Sequence, residues 1–205
     1  MSAKQIIFQS VSNLFHPLLS MLWATVLFVQ YTPLVVQTTS VKLFLIGTVA
    51  FYSAILPSII IMLMVGVGIV KNGVALRDRK DRIFPLGVQI ITYAIQWYSL
   101  DYMGMPLWAL QFYKGAFLLA ALCFVVSFWW KISAHAAGNA SIATAAIVLL
   151  WRFPTLMPIF VPVLMIVVTG FVSSIRIYLG RHTLAQVYAG SLAGITCMLL
   201  GAHFY

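Results

Sequence analysis

From His16 onward the chain is a succession of apolar stretches separated by short polar junctions. Most of these stretches approach the roughly 20 residues that a helix needs to cross a bilayer. Composition agrees, since 63% of the 205 residues are hydrophobic and only 7% are charged, against roughly 25% charged in soluble domains. The expectation is an all-α polytopic transmembrane helical bundle of about six to seven spans, a single integral membrane domain over residues 1–205.

The spans read as 16–36, 41–70, 84–100, 106–130, about 140–151, 155–173 and 184–202. Pro17 suits the first turn of its helix, where its missing N–H has no partner anyway. Pro57 predicts a kink in the second span. Lys114 interrupts the fourth, and either snorkels or faces the bundle interior. Trp129 and Trp130 look like an interfacial belt. Cys123 and Cys197 lie in apolar runs, where a free thiol acts as a small hydrophobe. Gly190 to Gly194 is a small-xxx-small spacing that predicts close helix packing. Residues 1–15 carry one Lys and no short apolar core followed by a cleavage site, so no removable signal peptide is expected.

Charge is concentrated rather than spread. Twelve basic residues face only Asp78, Asp81 and Asp101, for a net charge of +9. In a membrane protein this reflects topology signals, anionic headgroups and an anionic substrate, and no nucleic-acid partner is expected. Three junctions hold most of the polar groups: 71–85, with Arg79, Lys80 and Arg82; 131–139, with Ser133 and His135; and 173–186, with Arg176, His182 and Gln186. Two spans separate the first junction from the second and two more separate the second from the third, so all three face one side of the membrane. An ionisable group beside a membrane segment is a functional hypothesis by default. Cations and imidazoles brought together suit an oxyanion, phosphate above all.

Other readings stand beside this one. Arg176 and His182 can form a basic turn at the headgroups, His135 can bridge helices, and the 71–85 cations can be topology signals. Lys114, Arg152 and Arg181 read as interface anchors, and His16 and His203 as structural. By the positive-inside rule, the cation-rich side is cytoplasmic, but a phosphate site is itself cationic, so the side stays open. His/Cys spacing offers no metal site, and no cofactor is expected.

The three junctions together resemble the signatures of the type 2 phosphatidic acid phosphatase (PAP2) superfamily: Lys-x6-Arg-Pro, Pro-Ser-Gly-His and Ser-Arg-x5-His-x3-Asp. The third fits best, with Arg176 and His182 at the required separation and Tyr178-Leu179-Gly180 before the histidine. In the second, Ser133 and His135 are in place, with Ala134 and Ile132 where Gly and Pro are usual. The first is not reproduced, and Arg79, Lys80 and Arg82 are its candidates. The resemblance covers about 71–195 and is nearest to a bacterial branch with variant signatures, implying a bacterial inner-membrane protein.

It implies metal-free dephosphorylation of a membrane lipid, a phospholipid monoester or an isoprenyl diphosphate. His182 would attack phosphorus and form a phosphohistidine, and His135 would protonate the leaving oxygen. Arg176, Ser133 and one of Arg79, Lys80 and Arg82 would hold the phosphoryl oxygens. Gln186 stands where the family places the aspartate that orients the nucleophile. It can fix a tautomer but cannot stabilise an imidazolium, so a catalytically weak or inactive lipid-binding relative is the alternative. A small transporter would carry acidic groups within spans or two related halves, and neither is present in the sequence.

Overall fold

The computed structural model describes residues 3–69 and 80–202, Lys80 by its backbone alone. All regular structure among the described residues is helical: α1 (Ala3–Leu14), α2 (Pro17–Tyr31), α3 (Thr39–Ala50), α4 (Leu56–Gly66), α5 (Ile83–Tyr102), α6 (Leu107–Ser127), α7 (Ala134–Arg152), α8 (Phe160–Tyr178) and α9 (Leu184–Ala202). Five helices are long and apolar enough to cross a membrane, counting α3–α4 as one of 28 residues, and a sixth span results if α1 and α2, bent by 59°, are taken together. The protein is therefore membrane-embedded and helical.

Five to six spans is one fewer than the expected six to seven. The difference lies in α5, which has the length of a span but not the hydropathy. Gln89, Thr92, Tyr93 and Gln96 are buried along one face of it, so polar groups take the places that apolar side chains hold in the other spans. α7 is the central helix: 72% of its apolar window is buried, against 22% for α3–α4, and it packs on α9, α8, α2 and α6. Its run of Ala, Gly and Ser lets neighbours approach closely. A Cβ on Gly190 of α9 would lie 2.5 Å from the Ser133 carbonyl oxygen, and one on Gly194 would collide with that of Ala137.

The second span does not simply kink at Pro57. One π-helical turn, Phe51–Ile55, joins α3 to α4, and Pro57 sits in the first turn of α4. Proline cannot donate to the carbonyl four residues back, and widening the preceding turn absorbs that mismatch. Elsewhere the main cluster gathers Phe28, Tyr93, Phe112, Tyr113, Ala146 and Leu149, and the Thr25 and Tyr113 hydroxyls meet inside it at 2.8 Å. Cys123 and Cys197 are buried and unbonded, Trp129 is exposed, and Lys114 is half-buried.

Candidate anion-binding site

The described parts of the three polar junctions meet at one end of the bundle, and each is positioned by a local device. The first ends in a 3-10 turn, Lys80–Arg82, leading into α5. From there Arg82 donates Nη1–H to the Ile132 carbonyl at 3.3 Å. Burial lowers the pKa of its guanidinium. Arg79 and the Lys80 side chain, the other candidates from this junction, lie outside the described residues.

The second junction is shorter than the sequence suggested. Ser133 caps α7, its Oγ accepting the Ala136 N–H at 3.4 Å, so His135 falls in the first helical turn rather than in a loop. Ser133 is fully buried, and its own N–H donates to the Gln186 carbonyl at 3.2 Å. That bond ties the second junction to the third. His135 is 8% exposed, and its Nε2 is buried without a hydrogen-bond partner.

The third junction explains the five-residue spacing between Arg176 and His182. α8 closes in a Schellman motif: the Arg181 N–H donates to the Arg176 carbonyl at 3.0 Å and the Gly180 N–H to that of Ile177 at 2.9 Å. Gly180 takes the left-handed conformation at φ +64° that the motif requires. Thr183 and Gln186 then start α9 as a reciprocal capping pair, with the Gln186 N–H on Thr183 Oγ1 at 3.4 Å and the Thr183 N–H on Gln186 Oε1 at 3.3 Å. The same Oε1 lies 3.0 Å from His182 Nδ1. Because Thr183 donates to it, that atom is the amide oxygen. Nδ1 therefore carries the imidazole proton, and Nε2 holds the lone pair. Burial first, then Arg82, lower the His182 pKa to about 4, with Arg176 and Lys131 acting in the same direction and the Gln186 bond against them.

Arg176 reaches back across the bundle, donating Nη1–H to Ser12 Oγ of α1 at 3.1 Å. It is 8% exposed, and its Nε has no partner. Two cavities open beside these groups. The larger, about 370 Å³, is polar and lined by Gln9, Asn13, His16, Lys131, Arg181 and neighbours. The smaller, about 110 Å³, is mainly apolar and includes Ile61, Leu86 and Cys123 in its walls. His16, Arg82, His135 and Arg176 line both. His182, Ser133 and Gln186 line neither.

The structure thus brings Arg82, His135 and Arg176 onto common cavities and packs His182 with Gln186 behind them. Ser133 acts as a cap and a tether. Arg181, read as an anchor, lines the polar cavity. His16, read as structural, has its ring 5.1 Å from that of His135 in an edge-to-face arrangement. The available signal was its place before Pro17: a histidine just outside a proline-led helix is an N-cap, and this helix begins at the site. Among the described residues, no three His, Cys, Asp or Glu side chains gather as a metal site would require.

Fold and site together define a helical membrane protein with a cavity lined by cations at one end of its bundle. Comparison of the chain with protein-family models, with curated proteins and with solved structures finds no match.

Proposed function

We propose that the protein is a membrane lipid phosphatase resembling the type 2 phosphatidic acid phosphatases, acting on a phospholipid monoester or an isoprenyl diphosphate. The observation that carries the reading is a pair of nitrogens, His135 Nε2 and Arg176 Nε. Both are buried without a protein partner, and both belong to side chains that line the same cavities as Arg82. Buried polar nitrogens are normally satisfied, and an oxyanion would accept from Arg176 Nε–H and, in its Nε2–H tautomer, from His135. Apolar walls in the smaller cavity suit the start of a lipid tail, and the cationic larger one suits its headgroup.

In this reading, His182 is the nucleophile. Its one proton is fixed on Nδ1 by Gln186, and with a pKa near 4 the ring is uncharged at neutral pH, leaving Nε2 its lone pair. Attack by Nε2 on phosphorus gives a phosphohistidine as the bond from phosphorus to the leaving oxygen breaks, an ester bond in a monoester and an anhydride bond in a diphosphate, and His135 delivers a proton to that departing oxygen. Water then releases inorganic phosphate from the histidine. Arg176 and Arg82 hold the charge that spreads over the phosphoryl oxygens.

A second reading is favoured by two observations: His182 lines neither cavity, and its orienter is an amide. On that reading the protein binds phospholipid without turning it over. The test is phosphate release from lipid phosphates in detergent with EDTA, comparing the native protein with His182→Ala and His135→Ala. Release that persists in EDTA and disappears in both variants is expected. Absence of release from every substrate, with lipid binding intact, leaves the binding reading.

A further inference from the structure

His16 is held more firmly than a helix-end residue needs to be. Its Nδ1 accepts the Leu18 N–H at 3.3 Å, so in the neutral ring the proton sits on Nε2, at the opposite edge. Pro17 fixes the first turn of α2. Just before it, the Phe15 carbonyl accepts Asn139 Nδ2–H at 3.2 Å and the Leu14 carbonyl accepts Trp23 Nε1–H at 3.0 Å. The hinge between α1 and α2 is therefore pinned to α7 and to α2 itself. The ring it carries packs against His135 and lines both cavities with Arg82 and Arg176.

We propose that His16 is an anion-binding residue of this site, its Nε2–H donating to a phosphate oxygen held among Arg82, His135 and Arg176. The inference deepens the phosphate-site reading and rests on the site's being one for oxyanions, but it does not need turnover. Two independent observations point to a ligand there: the unpartnered nitrogens of His135 and Arg176, each on a side chain more than nine-tenths buried. A donor fixed in tautomer by its backbone bond reaches an anion with little ordering cost. The same bond would be present if His16 were a cap alone, and the experiment separates the two roles.

Asparagine caps helices as well as any residue but is too short to replace Nε2, so His16→Asn keeps the cap and removes the donor. Protein with 15N-labelled imidazoles, in nanodiscs of phosphatidylcholine, is titrated with inorganic phosphate and separately with phosphatidate doped into the disc. The His16 Nε2 resonance is expected to shift with at least one of them. His16→Asn is expected to weaken that binding about tenfold, the effect of losing one charge-assisted hydrogen bond, with an unchanged melting temperature. A shift with phosphatidate alone assigns the anion to a lipid headgroup, and a shift with free phosphate alone to a soluble ion. An unresponsive His16 resonance, or His16→Asn binding both anions as tightly as the native protein, overturns the proposal. Binding through His16 without phosphate release would leave it standing and remove the phosphatase reading instead.

Discussion

At the scale of single residues, the pair His182 and Gln186 decides which imidazole nitrogen carries the proton. One amide oxygen accepts two N–H groups, from His182 and from the capping residue Thr183, so Gln186 both starts α9 and fixes the imidazole. A glutamate at this position keeps the capping pair and places a full negative charge on the same bond. Gln186→Glu is therefore expected to raise the His182 pKa from about 4 to at least the ordinary value of about 6.5, read from the imidazole resonances in an NMR titration. The sign for stability follows. In the native protein the folded pKa lies below the unfolded one, so the unfolded chain binds the extra proton and stability falls on acidification from about pH 6.5 towards pH 4. In Gln186→Glu that loss shrinks or reverses. Melting curves at pH 7 and pH 4.5 report it, and an acid sensitivity identical to native would show that the carboxylate does not reach the ring.

At the scale of elements, the site depends on how α8 ends and how closely α9 meets α7, and two glycines test these separately. Gly180 has nothing within 4 Å of where a Cβ would stand, so Gly180→Ala meets no clash. Its expected cost is conformational, about 1 kcal/mol for an L-residue in the left-handed region. Gly190→Ala instead drives a methyl into the Ser133 carbonyl and has to displace the start of α7, a cost of about 1–3 kcal/mol as overpacking. Thermal melts should rank the two in that order. Phosphate binding should survive Gly180→Ala better, because Ser133 carries the tether to Gln186. The small-residue spacing at Gly190 and Gly194 was legible in the sequence because close approach has a compositional signature. The π-helical turn was not, since Pro57 announces a disturbance without saying which turn absorbs it. Nor was the helical placement of His135, because Ser133 as an N-cap is read only once α7 is known to begin there. The surroundings of His16 were not legible either: its place before Pro17 marks an N-cap, but nothing local to His-Pro tells which helix its ring will meet.

At the scale of the whole molecule, the shared end of the three junctions is a matter of parity. Two helices lie between the first polar junction and the second, and two more between the second and the third. The contacts of Arg82 with Ile132 and of Ser133 with Gln186 require all three to share one end of the bundle. Counting apolar segments gave that result without any knowledge of packing. What it could not give was the status of α5, whose buried glutamines make it weakly apolar, although the parity argument needs it to cross. If α5 crosses, Met103 at its far end and Trp129 at the site end of α6 lie on opposite faces of the membrane, and both are exposed. Cys123 and Cys197 are buried, so cysteines introduced at Met103 and Trp129 can be labelled selectively. Met103→Cys and Trp129→Cys are expected to react with a membrane-impermeant maleimide from opposite sides in sealed, oriented vesicles. The clustering of cations at the site end places Trp129 on the cytoplasmic side if topology signals dominate. It falls on the outer side if those cations serve an externally presented phosphate. Labelling of both positions from one side would mean that α6 does not cross the membrane, and the junctions' common end would then need a different explanation.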